Sequence, residues 1–287
     1  MNVQLHESGA RFALHFEETL AHAQADVWTA LTQPAQISQW MPVQITDLDL
    51  RPGGLGTVVN PDGTQSRSQV TAYDPPHAFA FRTLADGETP GERDNIVSFA
   101  LTASGPRTLL QGIQIIDQRT IAPFVACGWE ACLVALNALL ASEPITLAPP
   151  TVATFEHYLH ALDFDHPVIE PIPGGNRVRI ERQTMLQPVA KVWNIMTSGI
   201  ALKVGDFAPP LFTGSWQSGR ISVLEPGAQL EYLTSDGGRI RWQFHDHFNS
   251  ARLTLAVALP RSVDATEAAQ TWHTHLESII ARTIATT

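Results

Sequence analysis

The chain has 287 residues, 44% of them hydrophobic, and 18 Lys plus Arg against 28 Asp plus Glu give a formal net charge of −10. That is apolar material for one large domain or two ordinary ones, and it excludes a disordered chain. The acidic balance, 7 arginines against 15 acids over residues 1–145 and 11 basic against 13 acidic residues after them, contains no basic run. It therefore speaks against nucleic acid, which needs its phosphates neutralised, and against anionic membrane surfaces.

In chain order, residues 11–18 (RFALHFEE) alternate as a strand does, and a helix follows over 24–31. Thr32-Gln33-Pro34 breaks it, because proline suits the first turn of a new helix and clashes inside an old one. A second short helix then closes on Trp40. After a Gly-Gly turn at 53–54, strands are expected near 55–60, 66–73, 77–83, 95–102 and 107–116, with turn residues (NPDG, DPP, ASGP) between several of them. The stretch GWEACLVALNALL places Trp129, Cys132, Leu133, Leu136, Leu139 and Leu140 on one helical stripe. Cys127 and Cys132 point about 140° apart on that helix, so they read as buried thiols and not as a disulfide.

Residues 142–176 are rich in proline and end in Gly-Gly, as linkers do, but hold a short helical pattern with Phe155, Leu159 and Leu162 on one face. A strand over 177–184 and a helix carrying Trp193 follow. The last helix bears Trp272, Leu276, Ile279, Ile280 and Ile284 on its stripe, with Asp264 three residues before Glu267 as a capping box.

The same phrase is thus written twice. RFALHFEETLAHAQADVWTALT is echoed by NRVRIERQTMLQPVAKVWNIMT, AYDPPHAFAF by VLEPGAQLEY, and each half ends in a helix with an early tryptophan. Trp28 and Trp129 stand 101 positions apart, Trp193 and Trp272 only 79. Of the 22 positions lost, 14 fall before the proline turn and 8 after it. The expected architecture is α+β: two modules, each a curved antiparallel sheet wrapped on a long C-terminal helix. Their expected limits are residues 1–141 and 177–287, with 142–176 as the linker.

The order of a strand, ADVWTALTQPAQISQW, DLRPGG, VTAYDPPHAFAF and GWEACLVALNALL resembles the START-like or Bet v 1-like (SRPBCC) superfamily, and within it the group named after the activator of Hsp90 ATPase. The first copy carries the full set. The second keeps AKVWNIMT, LEPGAQLEY and TWHTHLESII but lacks the proline break, the downstream tryptophan and the Gly-Gly turn. The resemblance implies a helix-grip fold with a cavity between the long helix and the sheet, which in such proteins holds a lipid, steroid, polyketide or other apolar ligand. It equally covers di-domain aromatase or cyclase enzymes and chaperone-activating interaction modules, and fold alone does not choose among them. The leading expectation is a small apolar ligand bound mainly by the first copy, with no cofactor. A homo-oligomer or a chaperone partner has no support in the residues themselves.

Strand and helix periodicity nominates the cavity wall. In the first copy the candidates are Trp28, Trp40, Phe79, Phe81, Val97, Phe99, Leu101, Trp129 and Leu133. In the second they are Tyr232, Trp242, Phe244, Trp272 and Leu276. For Trp28 the reading as a core anchor competes with the reading as cavity wall, and core packing competes for most of the others. Tyr232 would bring a hydroxyl into an apolar pocket. The pair His245 and His247 lacks the further ligands of a metal site, with no His-x-x-x-His or Cys-x-x-Cys elsewhere to support it, so no metal is expected. His273 and His275 diverge by about 200° on their helix, and His275 is expected at the rim or in solvent. RPGGLG at 51–56 is a hairpin turn and not a dinucleotide loop, since Val59 occupies the third glycine position. No nucleophile–base pair, carboxylate dyad or G-x-S-x-G elbow stands in the sequence, and no catalytic residue is assigned. The N-terminal MNVQLHESGARFALHF has charges where a leader needs an apolar run, no stretch approaches roughly 18 unbroken apolar residues, and a cytoplasmic protein is expected.

Overall fold

The structure, a computed structural model, describes residues 1–85, 93–216, 218–235, 237–247 and 250–286. The chain divides into two compact units, Met1–Leu162 and Asp163–Thr287. The first contains β1 (Asn2–Ser8), β2 (Arg11–Leu20), α1 (Gln24–Thr32), α2 (Pro34–Trp40), β3 (Gln44–Leu48), β4 (Leu55–Val59), β5 (Gln65–Asp74), β6 (Ala78–Thr83), β7 (Asn95–Ser104), β8 (Arg107–Ile116), α3 (Ala122–Leu140) and α4 (Val152–Ala161). Its strands form one antiparallel sheet in the order β1-β2-β8-β7-β6-β5-β4-β3.

Helix α3 lies on the inner face of that sheet. By length and composition it is apolar enough to cross a membrane, with a mean hydropathy of 1.6 over its most apolar window. Here, however, Ala126, Trp129, Cys132, Leu133 and Leu136 are buried inside the unit. The α1–α2 corner forms where proline dictates: Gln33 is extended, Pro34 opens α2, and the Trp40 indole N–H donates across the break to the Ala30 carbonyl at 3.0 Å. Val27, Ala30, Leu31 and Thr32 are the buried residues of α1, while Trp28, the neighbour of Val27, is half-buried against the ring of Tyr73 on β5. Helix α4 is capped by the Thr151 hydroxyl and places Phe155 against Phe124 of α3, so the apolar face read in the linker packs into the first unit.

The second unit contains β9 (Val168–Ile172), β10 (Gly175–Gln183), α5 (Val189–Thr197), α6 (Pro210–Thr213), β11 (Arg220–Glu225), β12 (Gln229–Leu233), β13 (Arg239–His247), β14 (Ser250–Pro260) and α7 (Ala265–Ala285). Its sheet order is β9-β10-β14-β13-β12-β11. That is the order of the first sheet without its last two strands, the loss that the shortened spacing before the proline turn implied. The carboxylate of Asp264 caps α7 by accepting from the Thr266 and Glu267 amides. Two helix-grip modules of the α+β class therefore stand in tandem. The second is the trimmed one.

Candidate functional site

The inner face of the first sheet is laid out by strand register. Phe16, Gly112, Phe99 and Phe79 form one cross-strand row; Leu14, Gln114, Val97 and Phe81 form the next. Trp129 of α3 lies over both. Its ring stacks on Phe16 at 4.6 Å between centroids and meets Phe99 edge-on at 5.6 Å. Phe16 can take this place because residue 112 is glycine: a Cβ there would stand 2.1 Å from the Phe16 ring.

Between α3, the α1–α2 corner and the outer strands β3 to β6 remains a cavity of about 390 Å³. Trp40, Phe79, Phe81, Val97, Phe99 and Trp129, all nominated by periodicity, line it. Three other first-copy candidates do not: Trp28 packs on Tyr73, while Leu101 and Leu133 are buried in the surrounding core. Residues not nominated from the sequence complete the wall, notably Ile37, Val58, Ser68, Asn95, Gln114 and Gly128. At Gly128, in the middle of α3, an added Cβ would meet nothing within 4 Å, so this glycine contributes open space.

The polar groups of the wall are uncharged. The Trp129 indole N–H donates to the Gln114 side-chain carbonyl at 2.6 Å, and the Gln114 amide donates in turn to the Asn95 side-chain carbonyl at 3.0 Å. The hydroxyls of Ser68 and Thr83 add two further hydrogen-bonding groups. Among the described residues, no Asp, Glu, Lys, Arg or His lines the cavity. Cys132 does, but burial pushes its thiol up to about 11, and burial followed by the charge of Glu130 pushes Cys127 up to about 12. Both are free and protonated at neutral pH, which leaves them poor nucleophiles. A larger depression, about 480 Å³, lies on the opposite face of the same sheet. Its lining includes His15 and Glu17 beside Ala80, Ser98 and Ala100, so the inner cavity is the more apolar of the two and the better site for an apolar molecule.

The second unit is packed where the first is open. Tyr232, Trp242, Phe244, Trp272 and Leu276 are all at most 3% exposed and belong to one apolar core. Phe212 of α6 sits edge-on to Trp193, Trp242 and Phe244, and its carbonyl accepts from the Trp242 indole at 3.0 Å and the Tyr232 hydroxyl at 3.2 Å. The hydroxyl that could have oriented a ligand is thus taken by the chain itself, and burial raises its pKa. Trp193 is half-buried beside fully buried Val192, as Trp28 is beside Val27. His245 is exposed on the outer face of β13, and the side chain of His247 lies outside the described residues. His275, expected at the rim or in solvent, is half-buried against Trp272, with Nε2 at 3.0 Å from the Leu211 carbonyl.

Residues 21–141 match the family described as "Activator of Hsp90 ATPase homolog 1-like protein". No curated protein matches. Among solved structures, the chain is similar to CalU16 from Micromonospora echinospora, with 19% identity, a TM-score of 0.43, and coverage of 56% of this chain and 93% of that one. It is similar also to MLL2253 from Mesorhizobium loti, with 23% identity, a TM-score of 0.41, and coverage of 46% and 99%. A third is EF2215 from Enterococcus faecalis, a conserved protein of unknown function, with 19% identity, a TM-score of 0.42, and coverage of 55% and 88%.

Proposed function

We propose that the first unit, which carries a domain of the Activator of Hsp90 ATPase homolog 1-like family over residues 21–141, takes up a small, neutral, mostly apolar molecule between α3 and the sheet. The helix-grip fold is consistent with hydrophobic ligand binding in general. The observation that carries the finer reading is the composition of the cavity wall: aromatic and aliphatic side chains around about 390 Å³, with amides and hydroxyls as its polar groups. An apolar body entering such a space gains burial of the order of 25 cal/mol per Å². An ionic ligand would leave its charge without a counter-charge, at a cost of several kcal/mol. The Trp129–Gln114–Asn95 relay offers one hydrogen-bonding end, which suits a carbonyl, hydroxyl or ether at one tip of the ligand.

A cyclase-type reaction needs an acid or base beside its substrate. The described wall supplies none at neutral pH, so binding is the reading favoured over catalysis. The test is tryptophan fluorescence titration of the full chain with a panel of neutral lipids, steroids and polyketide-like aromatics, with native mass spectrometry for stoichiometry. One molecule per chain is expected. Gly128→Phe, which projects a ring into the open space, weakens it at least about tenfold, or about 1.4 kcal/mol. Absence of saturable uptake across the panel, or unaltered affinity in folded Gly128→Phe protein, defeats the reading.

A further inference from the structure

The second unit gathers metal-ligating side chains away from its packed core. His273 and Glu277 stand four residues apart on α7 and therefore share one face of the helix. Asp165, from the segment that leads into β9, approaches the same face; its side chain is 5% exposed. One ligand atom from each of the three lies within 4.8 Å of the other two. His273 Nε2 is 3.3 Å from Asp165 Oδ2, long for a hydrogen bond to a carboxylate. Tetrahedral coordination at 2.0–2.2 Å places neighbouring donor atoms about 3.4 Å apart, so this spacing already equals one edge of a zinc tetrahedron.

The charges point the same way. Asp165 and Glu277 bring two carboxylates to the cluster, and Arg182, fully buried, sets one positive charge beside Glu277. Arg182 grips Glu277 through Nε at 2.7 Å and Nη2 at 3.1 Å. It thereby fixes the carboxylate from one side and leaves its remaining lone pairs for an ion, as second-shell partners of ligating carboxylates do. His166 neighbours Asp165 in sequence, ion-pairs with Asp163, and has its ring 6.3 Å from that of His273. It is exposed enough to supply a fourth donor, or to leave that position to water.

We propose that Asp165, His273 and Glu277 hold a divalent transition-metal ion of the zinc class, which pins the segment before β9 to helix α7. An imidazole beside two carboxylates favours zinc or cobalt over calcium or magnesium, which prefer all-oxygen shells. The site is independent of the ligand cavity proposed for the first unit.

The test is isothermal titration of the metal-free full chain with Zn(II), together with Co(II) absorption spectroscopy as a reading of coordination geometry. One saturable ion per chain and visible d–d bands are expected. D165N and E277Q, which preserve side-chain shape, and H273A each raise the dissociation constant at least about tenfold. H245A, at an exposed histidine of the same unit, leaves it unchanged. Circular dichroism identifies any variant that has lost its fold, and the isosteric D165N and E277Q then decide. No saturable binding, or wild-type affinity in folded D165N and E277Q, overturns the proposal.

Discussion

The two units answer the same architectural problem in opposite ways, and register shows how. Matching the sheets through their corresponding strands sets Phe16, Gly112, Phe99 and Phe79 against Ile180, Leu255, Trp242 and Leu230. The next row sets Leu14, Gln114, Val97 and Phe81 against Val178, Val257, Ile240 and Tyr232. Glycine becomes leucine, and the glutamine that receives the Trp129 indole becomes valine. Trp272, which like Trp129 sits over its sheet on the long helix, accordingly has a buried N–H with no acceptor among the described residues. Among the described residues, the second unit lacks counterparts of β3 and β4, which wall the cavity in the first, and α6 brings Phe212 inward instead. A scaffold that keeps its outer strands and its small and polar inner residues retains a hole. One that loses them fills in, and its side chains then contribute packing and not reception.

This contrast makes the second unit the one most sensitive to truncation. Trp242→Ala removes a fully buried indole that packs on Phe212 and Trp272 and donates to the Phe212 carbonyl. It is expected to destabilise the second unit by about 3–5 kcal/mol in chemical denaturation. Phe81→Ala, in a wall that already faces open space, should cost clearly less. Equal losses at the two positions would break the contrast between a filled and an open interior.

A smaller difference concerns alkaline pH. Both cysteines are on α3, and the second unit has none. Cys132 is raised by burial from 9.0 to about 11. The folded state therefore holds the thiol proton more tightly than the unfolded state. Its contribution is whole below pH 9 and is lost as pH rises through about 11. Between pH 8 and about 10.5 the wild type should lose of the order of 2 kcal/mol that Cys132→Ala does not lose. Parallel pH profiles of the two proteins, followed by urea denaturation, would refute this assignment.

Much of this was readable beforehand, and the gaps have physical reasons. Strong alternation at 95–102 and 107–116, the Pro34 restart and the stripe of α7 each announced their element. Strand β1 did not, because this edge strand has no fully buried residue and its alternation is confined to Val3 and Leu5. Strand β9 contains Pro171 and lies at an edge, where the missing N–H is tolerated. Helix α6 has only four residues. Alternation puts Phe79, Phe81, Val97 and Phe99 on one face of the sheet, yet it reports only that a side chain points inward. It cannot tell whether the inside is occupied, which is why Tyr232 and Trp242 looked like Phe81 and Phe99. Gln114 became meaningful only with Trp129 opposite it. The cluster of Asp165 and His273 spans 108 positions and leaves no local spacing to read.

The wall glycines separate packing from space. Gly112→Ala would drive a methyl group into the Phe16 ring and should destabilise the first unit by about 1–3 kcal/mol, measured by thermal unfolding.

Gly128→Ala makes the opposite case, and with the smallest effect. Residue 128 is interior to a 19-residue helix, where glycine is worse than alanine by about 0.5–1 kcal/mol. Its Cβ would enter vacant space, so no clash offsets the helical gain. The substitution is therefore expected to stabilise the first unit by about that amount while shrinking the cavity by one methyl group. If the glycine is present to leave room for a ligand, the more stable variant should bind its best ligand less tightly, with larger ligands affected most. A Gly128→Ala protein that is destabilised, or that binds every size of ligand as the wild type does, would mean that α3 and the sheet do not stand apart at residue 128.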